Sequence, residues 1–453
     1  MPDNTLLILI ISSFFLCVYW LTRSHLRINN WLLFLFGIFM YAWGDLWRGV
    51  LLLALLPVDF ILVRFLYREK DTRKLALICG LGLNILVWIG SRYLIADERF
   101  LISGGIALGV SFYILRKIGF LISAFHDEEL TKHSFLEYGL YVSFFPQILS
   151  GPIEKPKSFL KQISHRRDIS EVDLFGCIHL IILGLLKKIA IADNLRVIVE
   201  RVFAIEKPAF LIVYAGTIAF SLQLFCDFSG YTDISRGIAG LIGFRTTRNF
   251  YNPFLSRTPQ DFWNRWHISF TNWLQTNIYF PVRRYLLRNE YTTEWIKTAA
   301  PIMAVMIFSG YWHGSTATFL VWGVYHGVLL IIFHYFRAKR GKRLNSYFWD
   351  LLGWLMTFQL ILLGWLIFRS NSIQWLSQLT VKHADRSLQQ DMIVSLSILS
   401  QTFIFSTPLL FHYLINKYKR IADFANPLFV AAGAVILILF GFSGFQPFVY
   451  VGF

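Results

Sequence analysis

The chain is predicted to be an all-α polytopic membrane protein, and three observations predict it. Hydrophobic residues make up 56% of its 453 and charged residues only 15%, far from the balance of a soluble globular chain. The apolar residues gather in about a dozen runs of roughly the 20 residues that a hydrocarbon core about 30 Å thick requires. The lysines and arginines behind a formal net charge of +16 sit in short loops between those runs rather than in tracts of their own.

The runs fall near 5–22, 31–47, 49–66, 75–95, 100–116, 172–192, 209–228, 298–312, 317–336, 347–368, 392–416 and 426–446. The first is preceded by MPDNT, without a basic segment, and is followed directly by further apolar runs, so it reads as a retained helix rather than a cleaved signal peptide. The loops Arg68–Lys74, Lys155–Arg167, Arg337–Arg343 and Lys417–Arg420 mark the cytoplasmic side. The weakly charged stretch Asn371–Gln390 then falls outside, as do both termini. No repeat, low-complexity tract or long polar segment interrupts the pattern, so one membrane domain is expected over 1–453. Cys17, Cys79, Cys177 and Cys226 lie in or beside apolar runs with no metal-ligand spacing, and read as packed thiols.

Two regions depart from simple spans. Tyr138–Pro156 (YGLYVSFFPQILSGPIEKP) is apolar but carries Pro146, Gly151, Pro152 and Pro156, which predicts a broken or re-entrant segment lining a cavity. Gln223–Pro281 alternates apolar patches with Asp227, Asp233, Arg236, Arg245, Arg248, Arg257, Asp261 and Arg265, too much charge for free exposure to hydrocarbon. Within it, Phe262–Pro281 places Phe262, Trp263, Trp266, Phe270, Trp273 and Leu274 on one helical stripe. That pattern predicts one amphipathic helix at the membrane interface or folded into the bundle wall, with tryptophans at headgroup depth and His267 at the stripe's edge.

Of eleven histidines, His25, His126, His133, His165, His383 and His412 read as loop or rim residues. His179 and His334 sit in apolar runs without evident polar neighbours, the pattern of a histidine hydrogen-bonded inside a bundle. His313, in FSGYWHGST at the end of an apolar run, is costly at membrane depth without a partner, which makes it a functional candidate. His326, thirteen residues on, is read as facing the opposite way and structural. Asp227 and Asp233, flanking a Ser-Gly-Tyr turn, could serve a proton-coupled transporter, or could pair with Arg236, Arg245 or Arg248 to hold the broken segment together. No nucleotide-binding, nucleophile-elbow or zinc motif is present.

Eight stretches coincide with one family. YAWGD from Tyr41, GVSFYILRKIGFL from Gly109, FFPQILSGPIEKP from Phe144, GLLKKIAIADNL from Gly184, FCDFSGYTDISRGIAGLIGF from Phe225, NFYNPFLSRTPQDFWNRWHISFTNWL from Asn249, GYWHG from Gly310 and GWLIFRS from Gly364 run in family order over about 41–370. The chain resembles the membrane-bound O-acyltransferases (MBOAT), in the AlgI/PatA/DltB-like bacterial branch that acts on alginate, peptidoglycan and teichoic acid, with further spans at 392–446. The resemblance implies a bundle of about 11–13 helices, some re-entrant or horizontal, around a tunnel where opposed cavities meet.

It also implies His313 as the catalytic general base and His267 as its supporting histidine, with Asn264 or Arg265 positioning the donor. Trp312 and Trp266 would line the substrate, and Arg245, Arg248 and Arg257, with Arg283 and Arg284, would meet the phosphates of cytoplasmic acetyl-CoA. No metal and no tightly bound cofactor is expected. The acyl group would pass to a separate extracytoplasmic partner of the SGNH type, AlgJ- or AlgX-like, at a bacterial inner membrane, for O-acetylation of a polysaccharide. D-alanyl transfer from a carrier protein to teichoic acid remains the alternative within the family, and proton-coupled transport the alternative outside it.

Overall fold

The computed structural model describes residues 4–43, 45–93, 109–207, 209–339, 347–379 and 387–440. Residues 100–108 of the fifth run, 340–343 of one basic loop, 380–386 of the weakly charged stretch, 441–446 of the last run, Gly44 and His383 lie outside them. The helices are α1 (Asn4–Leu21), α2 (Leu26–Ala42), α3 (Leu46–Phe65), α4 (Lys70–Tyr93), α5 (Val110–His126), α6 (Phe135–Ser143), α7 (Pro156–Ile163), α8 (Leu174–Leu185), α9 (Asp193–Phe203) and α10 (Phe210–Leu241). They continue as α11 (Pro259–Arg265), α12 (Ile268–Leu274), α13 (Phe280–Leu287), α14 (Glu294–His313), α15 (Ala317–Lys339), α16 (Tyr347–Arg369), α17 (Ile373–Gln378), α18 (Leu388–Lys417) and α19 (Lys419–Phe440). Among the described residues no strand forms, and seven helices are long and apolar enough to cross a bilayer. The shorter apolar stretches Leu7–Leu21, Leu26–Ala42 and Ala425–Leu437 answer to three more of the expected runs. The protein is an all-α, multi-pass membrane protein.

By packing, the chain forms two compact units, Met1–Ile178 with Ser235–Thr247 and His179–Ile234 with Arg248–Phe453. In the first, the proline-rich segment after α6 is irregular and largely buried, as its composition predicts. Its polar groups are met from within. Arg116 donates to Gln147 (3.0 Å), Gln147 donates to Glu154 (3.2 Å), and the Glu154 carboxylate accepts from Thr247 N (2.6 Å) and Oγ1 (2.8 Å). The Tyr141 hydroxyl donates to the Glu154 carbonyl (2.9 Å). A second buried group, Asp59, is neutralised by Lys117 (2.5 Å) and accepts from Asn84 (2.7 Å). An unpaired charge at either place would cost several kcal/mol, so each acid is held with its partners.

The second unit corrects one expectation. No Ser-Gly-Tyr turn separates Asp227 from Asp233; both lie inside α10, which runs unbroken to Leu241. Each of them meets a lysine. Lys188 sits between Asp193 (2.7 Å) and Asp227 (2.9 Å), and Lys187 meets Asp233 at 2.5 Å. Both lysines come from Leu186–Ala192, a π-helical turn joining α8 to α9. The extra residue per turn there re-aims the side chains of neighbouring turns. With the charges neutralised, nothing forces the helix to break, and 72% of its apolar window faces protein.

His179 is also better provided for than its apolar run suggests: its Nε2 faces Nε2 of His412 at 3.1 Å, tying α18 to α8.

Within this unit α14 and α15 cross at two glycines. A Cβ on Gly310 would lie 2.4 Å from the Phe319 carbonyl oxygen, and one on Gly323 would lie 2.3 Å from that of Met306. Gly310→Ala is therefore expected to cost about 1–3 kcal/mol through overpacking against backbone, seen as a lower unfolding midpoint in detergent. Gly82→Ala, where a Cβ meets nothing within 4 Å, is expected to be neutral or mildly stabilising. Equal midpoints for the two variants would mean that the crossing tolerates a methyl group.

Candidate acyl-transfer site

α14 starts on a Thr293 cap and ends on His313, whose successor Gly314 returns its N–H to the Gly310 carbonyl (3.3 Å). Three residues later α15 begins and runs back along α14. The tight crossing sets Trp322 edge to face with the His313 ring, centroids 5.2 Å apart at 89°. Phe368 from α16 closes another side at 5.3 Å.

His267 reaches the same place by a different device. α11 starts on Thr258, whose hydroxyl accepts from Asp261 N, with Pro259 in its first turn. It stops at Arg265 because Trp266 is extended and His267 adopts the left-handed region (φ 43°, ψ 53°). A non-glycine residue there stores about 1 kcal/mol or more of strain and persists only where its surroundings hold it. Asn249 does the holding: its backbone carbonyl accepts from Ile268 N (3.0 Å) and its Oδ1 from Ser269 N (3.1 Å). Tyr251 N adds a bond to the Arg265 carbonyl (3.0 Å).

The single amphipathic helix is thus corrected to two short helices with a corner at His267. The apolar stripe was read rightly, but its rings are not half wet. Phe262, Trp263, Trp266, Phe270 and Trp273 are all buried in the bundle wall.

The two histidines share walls. The His267 ring lies 4.9 Å from Phe270 and 6.3 Å from Trp312, and the His313 ring lies 6.1 Å and 4.9 Å from the same two. His267 is 1% exposed and His313 7%, so His313 is the one with some access. Burial, and then the neighbouring His313, hold the His267 pKa well below its usual range, so the imidazole is neutral at physiological pH.

Of the other predicted residues, Trp312 touches both histidines. Trp266 sits in an adjoining cluster, 4.9 Å from Trp365. Asn264 and Arg265 are not brought in: Asn264 is exposed, and Arg265 bonds Asp261 (2.8 Å) and stacks on Tyr251, on the outer side of α11. Arg257 is committed to Asp350 (2.5 Å), and Arg248 to the Phe250 carbonyl (2.7 Å). Arg245 belongs to the first unit, where its backbone pairs with Gln162. Sequence reasoning missed Asn249, whose only signal was its place in the NFYNP stretch. A helical phase counted from His313 does not carry across the reversal at Gly314–Thr316 to His326, which is buried and packs 5.0 Å from Trp322.

Two outcomes test this geometry. Asn249→Ala is expected to cost about 1 kcal/mol of stability, as loss of a helix-start acceptor does, and to lower acyl transfer further by freeing His267; unchanged transfer would remove its positioning role. Because the folded His267 resists protonation, the unfolded chain binds that proton first. Stability is then expected to hold above about pH 6.5 and decline as pH falls below it, with a shallower decline in His267→Asn. Parallel midpoint-against-pH curves for the two proteins would contradict the burial.

Comparison with known proteins bears on this arrangement. Residues 47–373 match the model of the membrane-bound O-acyltransferase family. The chain is 32% identical over 268 residues to a probable alginate O-acetylase, AlgI, of Pseudomonas aeruginosa, covering 59% of this chain and 49% of that protein. It is 30% identical over 368 residues to the probable alginate O-acetylase of Pseudomonas fluorescens, covering 79% and 70%. A peptidoglycan O-acetyltransferase of Helicobacter pylori is 28% identical over 296 residues, covering 59% and 54%. The chain spans about half the length of the first of these relatives. A match over most of the chain, in a multi-pass all-α fold with two histidines buried against shared aromatic walls, makes it a member of the membrane-bound O-acyltransferase family.

Proposed function

We propose that the chain is a membrane O-acetyltransferase. It takes an acetyl group from cytoplasmic acetyl-CoA and passes it to a separate SGNH-type protein for O-acetylation of an extracytoplasmic polysaccharide in the bacterial inner membrane. The observation that carries the reading is the convergence of His313 and His267 on Phe270 and Trp312.

The chemistry follows from the positions. His313 takes the proton of the incoming hydroxyl as its oxygen attacks the thioester carbonyl carbon. The negative charge that develops on the carbonyl oxygen is met by an N–H of neutral His267, fixed in place before the reaction begins. The carbon–sulfur bond breaks, and the departing thiolate recovers the proton from the His313 imidazolium. Proton and acyl group balance, and no covalent acyl-enzyme is needed. Lying on the last turn of α14, His313 has the negative end of the helix beside it, which favours the transient imidazolium. Arg283 and Arg284, exposed on α13, bond only the Tyr279 hydroxyl and the Phe280 carbonyl among the described residues and suit the donor's phosphates. The lysines that engage Asp227 and Asp233 favour a structural role for these acids over proton transport.

His313→Ala is expected to reduce transfer of labelled acetyl from acetyl-CoA by about 10²–10⁴-fold, measured on purified protein with wild-type mobility in size exclusion. Transfer within threefold of wild type would rule His313 out as the base.

A further inference from the structure

Five polar atoms beside His313 are buried without a protein partner: Ser309 Oγ, the indole nitrogens of Trp263, Trp322 and Trp365, and Nδ1 of His326. They are neighbours. Trp322 stands between two imidazoles, 5.2 Å from His313 and 5.0 Å from His326. Trp263 packs 5.1 Å from His326 and 5.8 Å from Trp322, and Trp365 lies 6.3 Å from Trp322. Ser309 is one helical turn before His313 on α14. His326 cannot turn away, because α16 passes so close that a Cβ on Gly364 would lie 2.5 Å from its Nε2.

Buried polar atoms in proteins are nearly always paired. Five exceptions on side chains that pack against one another or stand one turn from the candidate base point to a ligand that the chain does not itself supply. An indole N–H can only donate, so the matching group must be an acceptor. A cation has no place here. Trp322 is 1% exposed and packed among Trp263, His313, His326 and Phe368, which leaves its ring no open access. The acids of the surrounding segments are engaged elsewhere: Asp261 with Arg265, Asp350 with Arg257, Glu294 with Lys297.

We propose that these atoms form an acyl subsite that holds a short, uncharged acyl group by its oxygen, with His326 as a positioning residue. The proposal rests on the acyl-transfer reading above and narrows its substrate: acetyl is accepted, and an aminoacyl group, carrying an ammonium, is refused.

The test uses the full chain in proteoliposomes with acetyl, propionyl and glycyl thioesters of coenzyme A, the last two matched in size and differing in charge. Acetyl and propionyl are expected to turn over, with glycyl at least tenfold below propionyl in kcat/KM. Glycyl at or above propionyl would overturn the subsite while leaving acyl transfer standing; turnover of none of the three would overturn both. His326→Phe, which keeps a ring and loses the nitrogen, is expected to lower kcat for acetyl at least tenfold with little change in KM. His326→Asn, which keeps a polar atom near Nδ1, should restore it to within threefold of wild type, a rescue that a purely structural role would not produce. Should His326→Phe fail to fold, Ser309→Ala supplies the second reading, with a threefold or greater loss in kcat expected and wild-type kcat overturning the proposal.

Discussion

The candidate site depends first on the close crossing of α14 and α15. Gly310 and Gly323 let two backbones approach to where neither tolerates a Cβ. Without a hydrophobic force between helices in lipid, such small-residue contacts are what holds transmembrane helices together. The consequence is local and chemical. His313, at the last residue of α14, is pressed against Trp322 from α15, and α16 then closes the cluster with Phe368 and Trp365.

A second constraint is charge. A multi-pass chain can keep ionised groups in its interior only if each is paired or fully hydrogen-bonded, because an isolated buried ion costs several kcal/mol. Asp59 with Lys117 answers this in one unit, and Lys187 and Lys188 with Asp193, Asp227 and Asp233 answer it in the other. The second network explains how a helix as polar as α10 stays continuous, and why the π-helical turn that aims the lysines falls where it does. These pairs do structural work, in contrast to the unpaired donors beside His313, which cost stability without evident structural return.

Much of the plan was legible beforehand. Helix positions followed from apolar runs, the irregular segment before Pro156 from its prolines, and the candidacy of His313 and His267 from a family resemblance carried by short motifs. What stayed hidden came from interactions between distant residues. The stripe from Phe262 to Leu274 reads as one helix because periodicity cannot sense the strained backbone at His267, which Asn249 imposes from eighteen residues upstream. Asn264 and Arg265 lie away from His267 for the same reason, since proximity to His267 in sequence does not put a side chain on its side of the corner.

The sequence by itself determined that the chain crosses the membrane, which stretches form its long apolar helices, and which family its motifs belong to. These properties are set by composition and by contacts between near neighbours along the chain. Tertiary structure alone decided which acids meet which lysines, that the tryptophans are buried rather than half wet, and that His326 packs against the Trp322 that meets His313. Each of these depends on how one helix is set against another, and that is fixed by close packing between residues tens to hundreds of positions apart.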